Sequence, residues 1–141
     1  MIKATAVIAA GLLGLTALVH LIWAAGGVWP ARDGSALAKA VVGPGQEAMP
    51  AAAATLVVVA LLSVAAVIVV ARAEGADLGG PGWVVRIGTW VIVCVLAARG
   101  LIGLVTSLLA GREQIYHQLD IAVYSPLCLL IAVLCLPAAL A

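Results

Sequence analysis

The chain has 141 residues, of which 66% are hydrophobic and only 9% carry a charged side chain. Soluble domains usually contain about 25% charged residues, so this composition excludes a surface that faces only water and predicts that most of the surface faces lipid. The formal net charge of +1 leaves no basic patch of the kind that binds nucleic acid.

Four apolar stretches are long enough to cross a bilayer as helices, because its hydrocarbon core of roughly 30 Å requires about 20 apolar residues. They cover approximately residues 4–25, 50–71, 83–109 and 119–140. Open strands leave backbone groups unsatisfied in lipid, so helices are predicted. The first stretch is longer than the apolar core of a secretory signal, and we interpret it as a span rather than as a cleaved leader. The predicted fold is a single all-α domain, a bundle of four transmembrane helices, over residues 1–141.

The longest connection, residues 26–49, is rich in Gly and Pro, which end regular helices. Within it, the segment SALAKAVV favours a short helix at the membrane interface. Trp29 and Pro30 are expected to turn the chain along the membrane surface. Glu47 lies just before the second helix, where we expect it to cap or solvate the helix start and where it is also a candidate ligand contact.

The basic residues that flank the helices are divided equally between the two ends of the bundle. The end that holds the termini has Lys3, Arg72 and Arg86. The opposite end has Arg32, Lys39 and Arg112. The first three lie directly against helix ends, where the positive-inside rule acts best, so we expect both termini in the cytoplasm. Abundant Ala, Val and Leu without any Phe favour a bacterial source, and hence a multi-pass protein of the inner membrane.

Arg99 lies within the apolar run VLAARGLIGLV of the third helix. An arginine at the centre of a membrane helix costs about 2.5–3.5 kcal/mol, and such residues usually face the bundle interior and have partners. We expect its direct contacts to be Tyr124 and the carbonyl of Ala122. That carbonyl loses its helical donor because Pro126 has no backbone N–H. Asp120, placed nearer the water, is expected to balance the charge, through a water molecule.

The end of the first helix contributes further polar groups at a similar depth. His20 and Trp23 are three residues apart and share a helix face, so both are expected in a polar cluster with Arg99. The alternative is that these two side chains only anchor the helix at the interface. Gly100 and Gly103 are expected to make room beside the guanidinium, because small residues allow helices to approach closely.

Metal, redox and cofactor chemistry have little support in the sequence. Cys94, Cys128 and Cys135 show no CxxC spacing and are interpreted as small buried hydrophobic residues. His20 and His117 lie at the same end of the bundle but lack a third ligand. There is no HExxH motif and no phosphate-binding glycine loop, so we expect neither a metal nor a cofactor.

Three segments resemble a bacterial family of small four-helix integral membrane proteins that is known only as a domain of unknown function. They are HLIWAAGGVWP in the first helix, RGLIG in the third and LDIAVYSPLCLLIAVL in the fourth. The resemblance covers nearly the whole chain and implies the four-helix fold, but it implies no activity. The positions that fall on the family's motif are His20, Trp23, Trp29, Pro30, Arg99, Asp120, Tyr124, Ser125, Pro126 and Cys128.

The leading functional hypothesis is a site for a small lipophilic molecule, since an apolar pocket with a few polar groups is the usual form of such sites. In an enzymatic version, His20 or Asp120 acts as general acid or base, and Arg99 stabilises developing negative charge. Whether the protein is an enzyme stays open. The candidate ligand-binding residues are His20, Trp23, Trp29, Glu47, Arg99, Asp120 and Tyr124.

Two other functions are kept as alternatives. In an accessory membrane subunit, the cluster of Arg99, Asp120 and Tyr124 only fixes the helices, and function depends on a partner membrane protein. In a small transporter, which would work as a homodimer, proton coupling requires an acid within the membrane. The first three helices contain none, and Asp120 is expected too near the interface.

Overall fold

The computed structural model describes residues 1–141, and its regular structure is entirely helical. The long helices are α1 (Ile2–Ala24), α3 (Ala52–Glu74), α4 (Gly82–Ala110) and α6 (Ser125–Leu140), and the short elements are α2 (Gly34–Val41), α5 (Ile115–Leu119) and a π-helical turn (Asp120–Tyr124). Four continuous helical runs are long and apolar enough to cross a membrane: Ile2–Ala24, Ala52–Glu74, Gly82–Ala110 and Ile115–Leu140. The prediction of an all-α fold with four such helices is therefore confirmed.

The four long helices form an up-down-up-down bundle. α1 packs mainly against α3 and also contacts α6, whereas α4 packs mainly against α6 and also contacts α3. α1 and α4 lie diagonally opposite and do not contact each other. Small side chains in the core allow this close packing, with Ala6, Ala9 and Cys135 beside the larger Leu13 and Val69. Lys3 Nζ and Glu74 Oε2 form an exposed ion pair of 2.7 Å at the end of the bundle that holds the termini.

The outer surface of the bundle is apolar, as expected for helices that face lipid. Only 22 of the 141 residues are buried, so most Leu, Val and Ile side chains point outward, which a soluble monomer rarely tolerates. Trp29 and Trp83 are 64% and 63% exposed at opposite ends of the bundle, where tryptophan is typical of the membrane–water interface. Of the three cysteines predicted to be buried, only Cys135 is buried, whereas Cys128 is half-buried. The prediction is wrong for Cys94, which is exposed because it lies on the outward face of α4.

The short helix expected in the first connection is present as α2. Asp33 caps its start, since its Oδ1 accepts a hydrogen bond of 2.8 Å from the backbone N–H of Ala36. Leu37 and Ala38 are 1% and 0% exposed, so α2 is held against the bundle by one buried face. It therefore covers the end of the bundle at which α1 ends and α3 begins.

The fourth membrane-length helix begins earlier than predicted, at Ile115 rather than near residue 119. The polar residues that suggest a loop, Tyr116 to Gln118, belong instead to α5. A polar side chain is compatible with a membrane helix when it faces the bundle interior. One additional helical turn therefore places Asp120 deeper in the bundle than the sequence indicates.

Candidate functional site

The charged residue in the third membrane-length helix is held by a direct ion pair. Arg99 Nη2 lies 2.9 Å from Asp120 Oδ1, and the side chain of Asp120 is completely buried whereas that of Arg99 is 41% exposed. The prediction that Asp120 lies near the water and acts through a water molecule is wrong. The reason is the earlier start of the helix, which carries the carboxylate to the depth of the guanidinium.

Both oxygens of the Asp120 carboxylate accept hydrogen bonds from neighbouring side chains. Ser125 Oγ donates to Oδ1 over 3.1 Å, and Ser107 Oγ donates to Oδ2 over 2.6 Å. His117 Nδ1 lies 3.2 Å from Ser107 Oγ. Since the Ser107 hydroxyl proton is used towards the carboxylate, the histidine N–H must be the donor. A continuous chain of hydrogen bonds thus runs from the half-buried His117 to the buried carboxylate and on to Arg99.

The π-helical turn makes this arrangement possible. Ser125 is five positions after Asp120, and in an α-helix of 3.6 residues per turn their side chains would diverge. In the π turn, the backbone N–H of Ser125 bonds to the carbonyl of Asp120, which brings the two side chains to one face. The next residue, Pro126, has no backbone N–H, and wider turns of this kind accommodate proline in membrane helices. The turn therefore follows from the sequence around Pro126 and serves the cluster.

Two glycines of α4 allow the close approach of α6. A Cβ at Gly103 would overlap Arg99 Nη1 and would lie 2.6 Å from Ser125 Oγ and 3.0 Å from Asp120 Oδ2. A Cβ at Gly100 would lie 2.6 Å from the side chain of Leu129. The expectation that these glycines make room beside the guanidinium is confirmed for Gly103, whereas Gly100 makes room for Leu129 and the carbonyl of Ser125.

Tyr124 makes no hydrogen bond to Arg99, contrary to the sequence-based expectation. Its hydroxyl donates over 3.1 Å to the carbonyl of Ala40 and so ties the π turn to α2. Arg99 Nη2 instead lies 3.5 Å from the hydroxyl of Tyr116, and Arg99 makes no hydrogen bond to the carbonyl of Ala122. The π turn rotates residues 122–124 relative to a regular helix, which explains why a uniform helical phase gives the wrong partner.

A cavity of about 370 Å³ lies on the other side of the guanidinium. Five of the side chains on its wall are polar or aromatic: His20 and Trp23 from α1, Thr55 from α3, Arg99 from α4 and Tyr116 from α5. The remaining wall is formed by Val41, Val42, Met49, Pro50, Ala54 and Val58. The cavity therefore opens between the diagonal helices α1 and α4, beneath α2 and the start of α3.

The two aromatic residues of α1 are fixed in orientation. His20 Nδ1 donates to the carbonyl of Thr16 over 2.8 Å, so in the neutral ring Nε2 is the acceptor. Trp23 Nε1 donates to the carbonyl of Trp29 over 2.7 Å. The two rings lie 4.9 Å apart between centroids. His20 therefore offers an acceptor and Trp23 an apolar ring surface.

The predicted site residues thus fall into two groups. His20, Trp23 and Arg99 are brought together at the cavity, whereas Asp120 is buried behind Arg99 and Tyr124 faces away towards α2. Trp29 and Glu47 are exposed and do not line the cavity. Glu47 lies outside it because the chain continues for four residues before α3 begins at Ala52.

Sequence reasoning missed three residues, Tyr116, Ser107 and Ser125, as partners in the cluster. Ser107 carried a usable signal, because it follows Arg99 and Gly103 at successive intervals of four residues and therefore lies on the same helix face. Helical spacing gave no such signal for Ser125, although it falls on the family's motif, since its role depends on the π turn. Nowhere in the structure do three or more His, Cys, Asp or Glu side chains group in a way that could hold a metal ion.

The arrangement can bind an acceptor group. Arg99 uses only Nη2 towards the protein, so its Nε–H and Nη1–H donors have no protein acceptor, and the side chain forms part of the cavity wall. The cavity also offers the His20 acceptor and an apolar wall.

Comparison with known proteins identifies the family of the chain. None of the curated proteins matches the chain, and none of the solved structures matches it. A family model described as "Protein of unknown function (DUF3995)" matches residues 13–135. The matched region includes α2 to α5, the whole π turn, and every residue of the ion-pair cluster and of the cavity wall. The chain belongs to the DUF3995 family of proteins of unknown function.

Proposed function

We propose that the protein binds a small amphipathic molecule whose head group accepts hydrogen bonds from Arg99. The observation that carries the proposal is a guanidinium with unused donors in the wall of a mainly apolar cavity of about 370 Å³. Ligand sites commonly have volumes of about 300–1,000 Å³ and are lined by apolar side chains with a few polar groups.

The charges in the cluster narrow the class of head group. Because Asp120 already neutralises Arg99, the cavity has no strong excess of positive charge, and a carbonyl or a single carboxylate suits it better than a multiply charged phosphate. The acceptor nitrogen of His20 favours a head group that also carries a hydroxyl. Trp23 supplies a surface for a ring or for the first carbons of a chain.

Binding is proposed rather than catalysis. Asp120 is completely buried behind Arg99, so it has no access to a molecule in the cavity and is not placed to act as its acid or base. His20 is the one candidate base that reaches the cavity wall. The function proposed for this site is therefore binding alone, without a chemical step.

Native mass spectrometry of the detergent-purified protein, combined with organic extraction, tests the proposal. Ala54→Trp fills the cavity from the first turn of α3 and leaves the ion pair untouched. Ala53→Trp, at the neighbouring exposed position outside the cavity wall, is the matched control. We expect wild type and Ala53→Trp to retain the same discrete small molecule and Ala54→Trp to lose it. Equal retention by Ala54→Trp, or an empty wild type, would overturn the proposal.

A structural role in an accessory membrane subunit is the second candidate function. It is favoured by the three side-chain hydrogen bonds to the buried Asp120 carboxylate, which join α4 to the π turn and the start of α6. An empty cavity together with a membrane protein that co-purifies with the chain would favour this role.

A small dimeric transporter is the third candidate. The burial of Asp120 supplies the acid within the bundle that proton coupling requires. Proton-coupled flux in liposomes that Asp120→Asn abolishes would favour it, and flux independent of that residue would exclude it.

A further inference from the structure

A second cavity, of about 480 Å³, lies between α2 and α5 and is separate from the Arg99 cavity. Most of its wall is apolar, with Leu37 and Ala40 on one side and Ile115 and Leu119 on the other. Its wall also includes two basic side chains, Arg32 and Lys39. The cavity therefore combines an apolar interior with two cations, at the end of the bundle where α1 ends and α3 begins.

Neither cation forms an ion pair within the protein. The ion pairs of the structure are Lys3–Glu74 and Arg99–Asp120, and they involve neither Arg32 nor Lys39. The nearest acid in the chain, Asp33, uses Oδ1 to cap α2 and does not line the cavity. Two positive charges without an ion-pair partner at one cavity favour an anionic group between them.

The cavity is preformed because α2 is held in place from two sides. The buried side chains of Leu37 and Ala38 fix its inner face. The hydroxyl of Tyr124 fixes its last turn through the bond of 3.1 Å to the carbonyl of Ala40. An occupant therefore does not have to order the helix on binding, which removes a common entropic cost of association.

We propose that this cavity binds an anionic phospholipid, with the phosphate between Arg32 and Lys39 and part of one acyl chain against Ile115 and Leu119. The position supports this occupant: the cavity lies at the end of the membrane-length helices, where lipid head groups meet water, and basic residues there attract anionic lipids. The apolar wall distinguishes a lipid from a free phosphate ion, which would gain nothing from it. The proposal does not depend on the function proposed for the Arg99 cavity.

The test measures which lipids remain bound to the full chain. The protein is reconstituted with equal amounts of phosphatidylglycerol and phosphatidylcholine, and the retained lipids are counted by native mass spectrometry. The double variant Arg32→Gln, Lys39→Gln removes the two cations. Its control, Arg86→Gln, Arg112→Gln, removes the same net charge at exposed positions outside the cavity wall. Ala36→Trp fills the cavity while keeping both cations.

We expect wild type and the control to retain one phosphatidylglycerol in preference to phosphatidylcholine. We expect the double variant to lose about thirtyfold in that preference, which corresponds to about 1 kcal/mol for each of two basic residues near a membrane surface. Ala36→Trp is expected to lower retention of both lipids. All four substituted basic residues are exposed, so these variants are expected to fold.

Three results would overturn the proposal. Equal retention of the two lipids by wild type would show that Arg32 and Lys39 do not select an anionic lipid. An equal loss in the control would assign the effect to the net charge of the protein. Displacement of the lipid by excess inorganic phosphate, with Ala36→Trp unaffected, would indicate a site for a free anion.

Discussion

Substitution of Gly103 by alanine is expected to destabilise the fold more than an ordinary glycine substitution in a helix. The added Cβ would overlap Arg99 Nη1 and would lie within 3.0 Å of Asp120 Oδ2. Asp120 and Ser125 are both completely buried, so neither can move aside without losing a hydrogen bond. Either α4 moves away from α6 or the ion pair separates.

The energetic costs of these two rearrangements set the expected loss in the free energy of unfolding. Overpacking of a tight interior contact costs about 1–3 kcal/mol. Separation of a buried ion pair costs about 3–5 kcal/mol, and less here because the Arg99 side chain is 41% exposed. The protein takes the cheaper route, so we expect Gly103→Ala to lower the free energy of unfolding by about 2–3 kcal/mol.

Gly14→Ala in α1 is the matched control, because no atom lies within 4 Å of its added Cβ. Alanine is preferred over glycine within a helix, so this change is expected to stabilise the protein by about 0.5–1 kcal/mol. Unfolding by SDS in mixed micelles, followed by the fluorescence of the four tryptophans, measures both variants. If Gly103→Ala were neutral or stabilising like Gly14→Ala, the tight packing of the cluster against α4 would be refuted.

The other predictions concern the charged and polar side chains, and the same unfolding assay measures them. Arg99→Met is expected to lower the free energy of unfolding by about 3–5 kcal/mol, and Asp120→Asn by about 1–3 kcal/mol. The first loss is larger because it leaves a completely buried carboxylate unpaired, whereas the arginine is partly exposed. The reverse order would contradict the burial of these two side chains. Ser107→Ala removes a 2.6 Å hydrogen bond to that carboxylate and is expected to cost about 1.5–3 kcal/mol; a neutral result would show that the carboxylate does not depend on this donor. Lys3→Gln breaks the exposed pair with Glu74 and is expected to cost less than about 1 kcal/mol, so a larger loss would mean that this pair is not solvated.

The membrane-length helices could be read from the sequence because lipid imposes a simple requirement on length and polarity. The need of Arg99 for a partner could be read for the same reason, since an unpaired cation in lipid is costly. The predictions were wrong where they depended on which face of a helix a side chain occupies. Tyr124 appeared to be the partner of Arg99 only under a regular helical repeat, which the π turn at Asp120–Tyr124 interrupts.

The cavities could not be predicted, because they depend on how elements distant in the chain are placed. α2 could be expected as a helix from its composition, but its position depends on its contact with α5 and on the bond from Tyr124 in the π turn to Ala40. These residues are far apart in the sequence, and no local pattern links them. For the same reason, the sequence predicts Glu47 as a ligand contact, although it lies outside the Arg99 cavity.

Because α1 and α4 lie diagonally opposite, the ion-pair cluster and the Arg99 cavity depend on different contacts between helices. The ion-pair cluster lies entirely in the half of the molecule made of α4, α5, the π turn and α6, whereas the Arg99 cavity spans both halves. A small rigid-body tilt of the α1–α3 pair against the other half would therefore widen or narrow the cavity without stretching any bond of the cluster. The Arg99–Asp120 ion pair would stay in place in one half of the bundle while the volume of the neighbouring cavity changed.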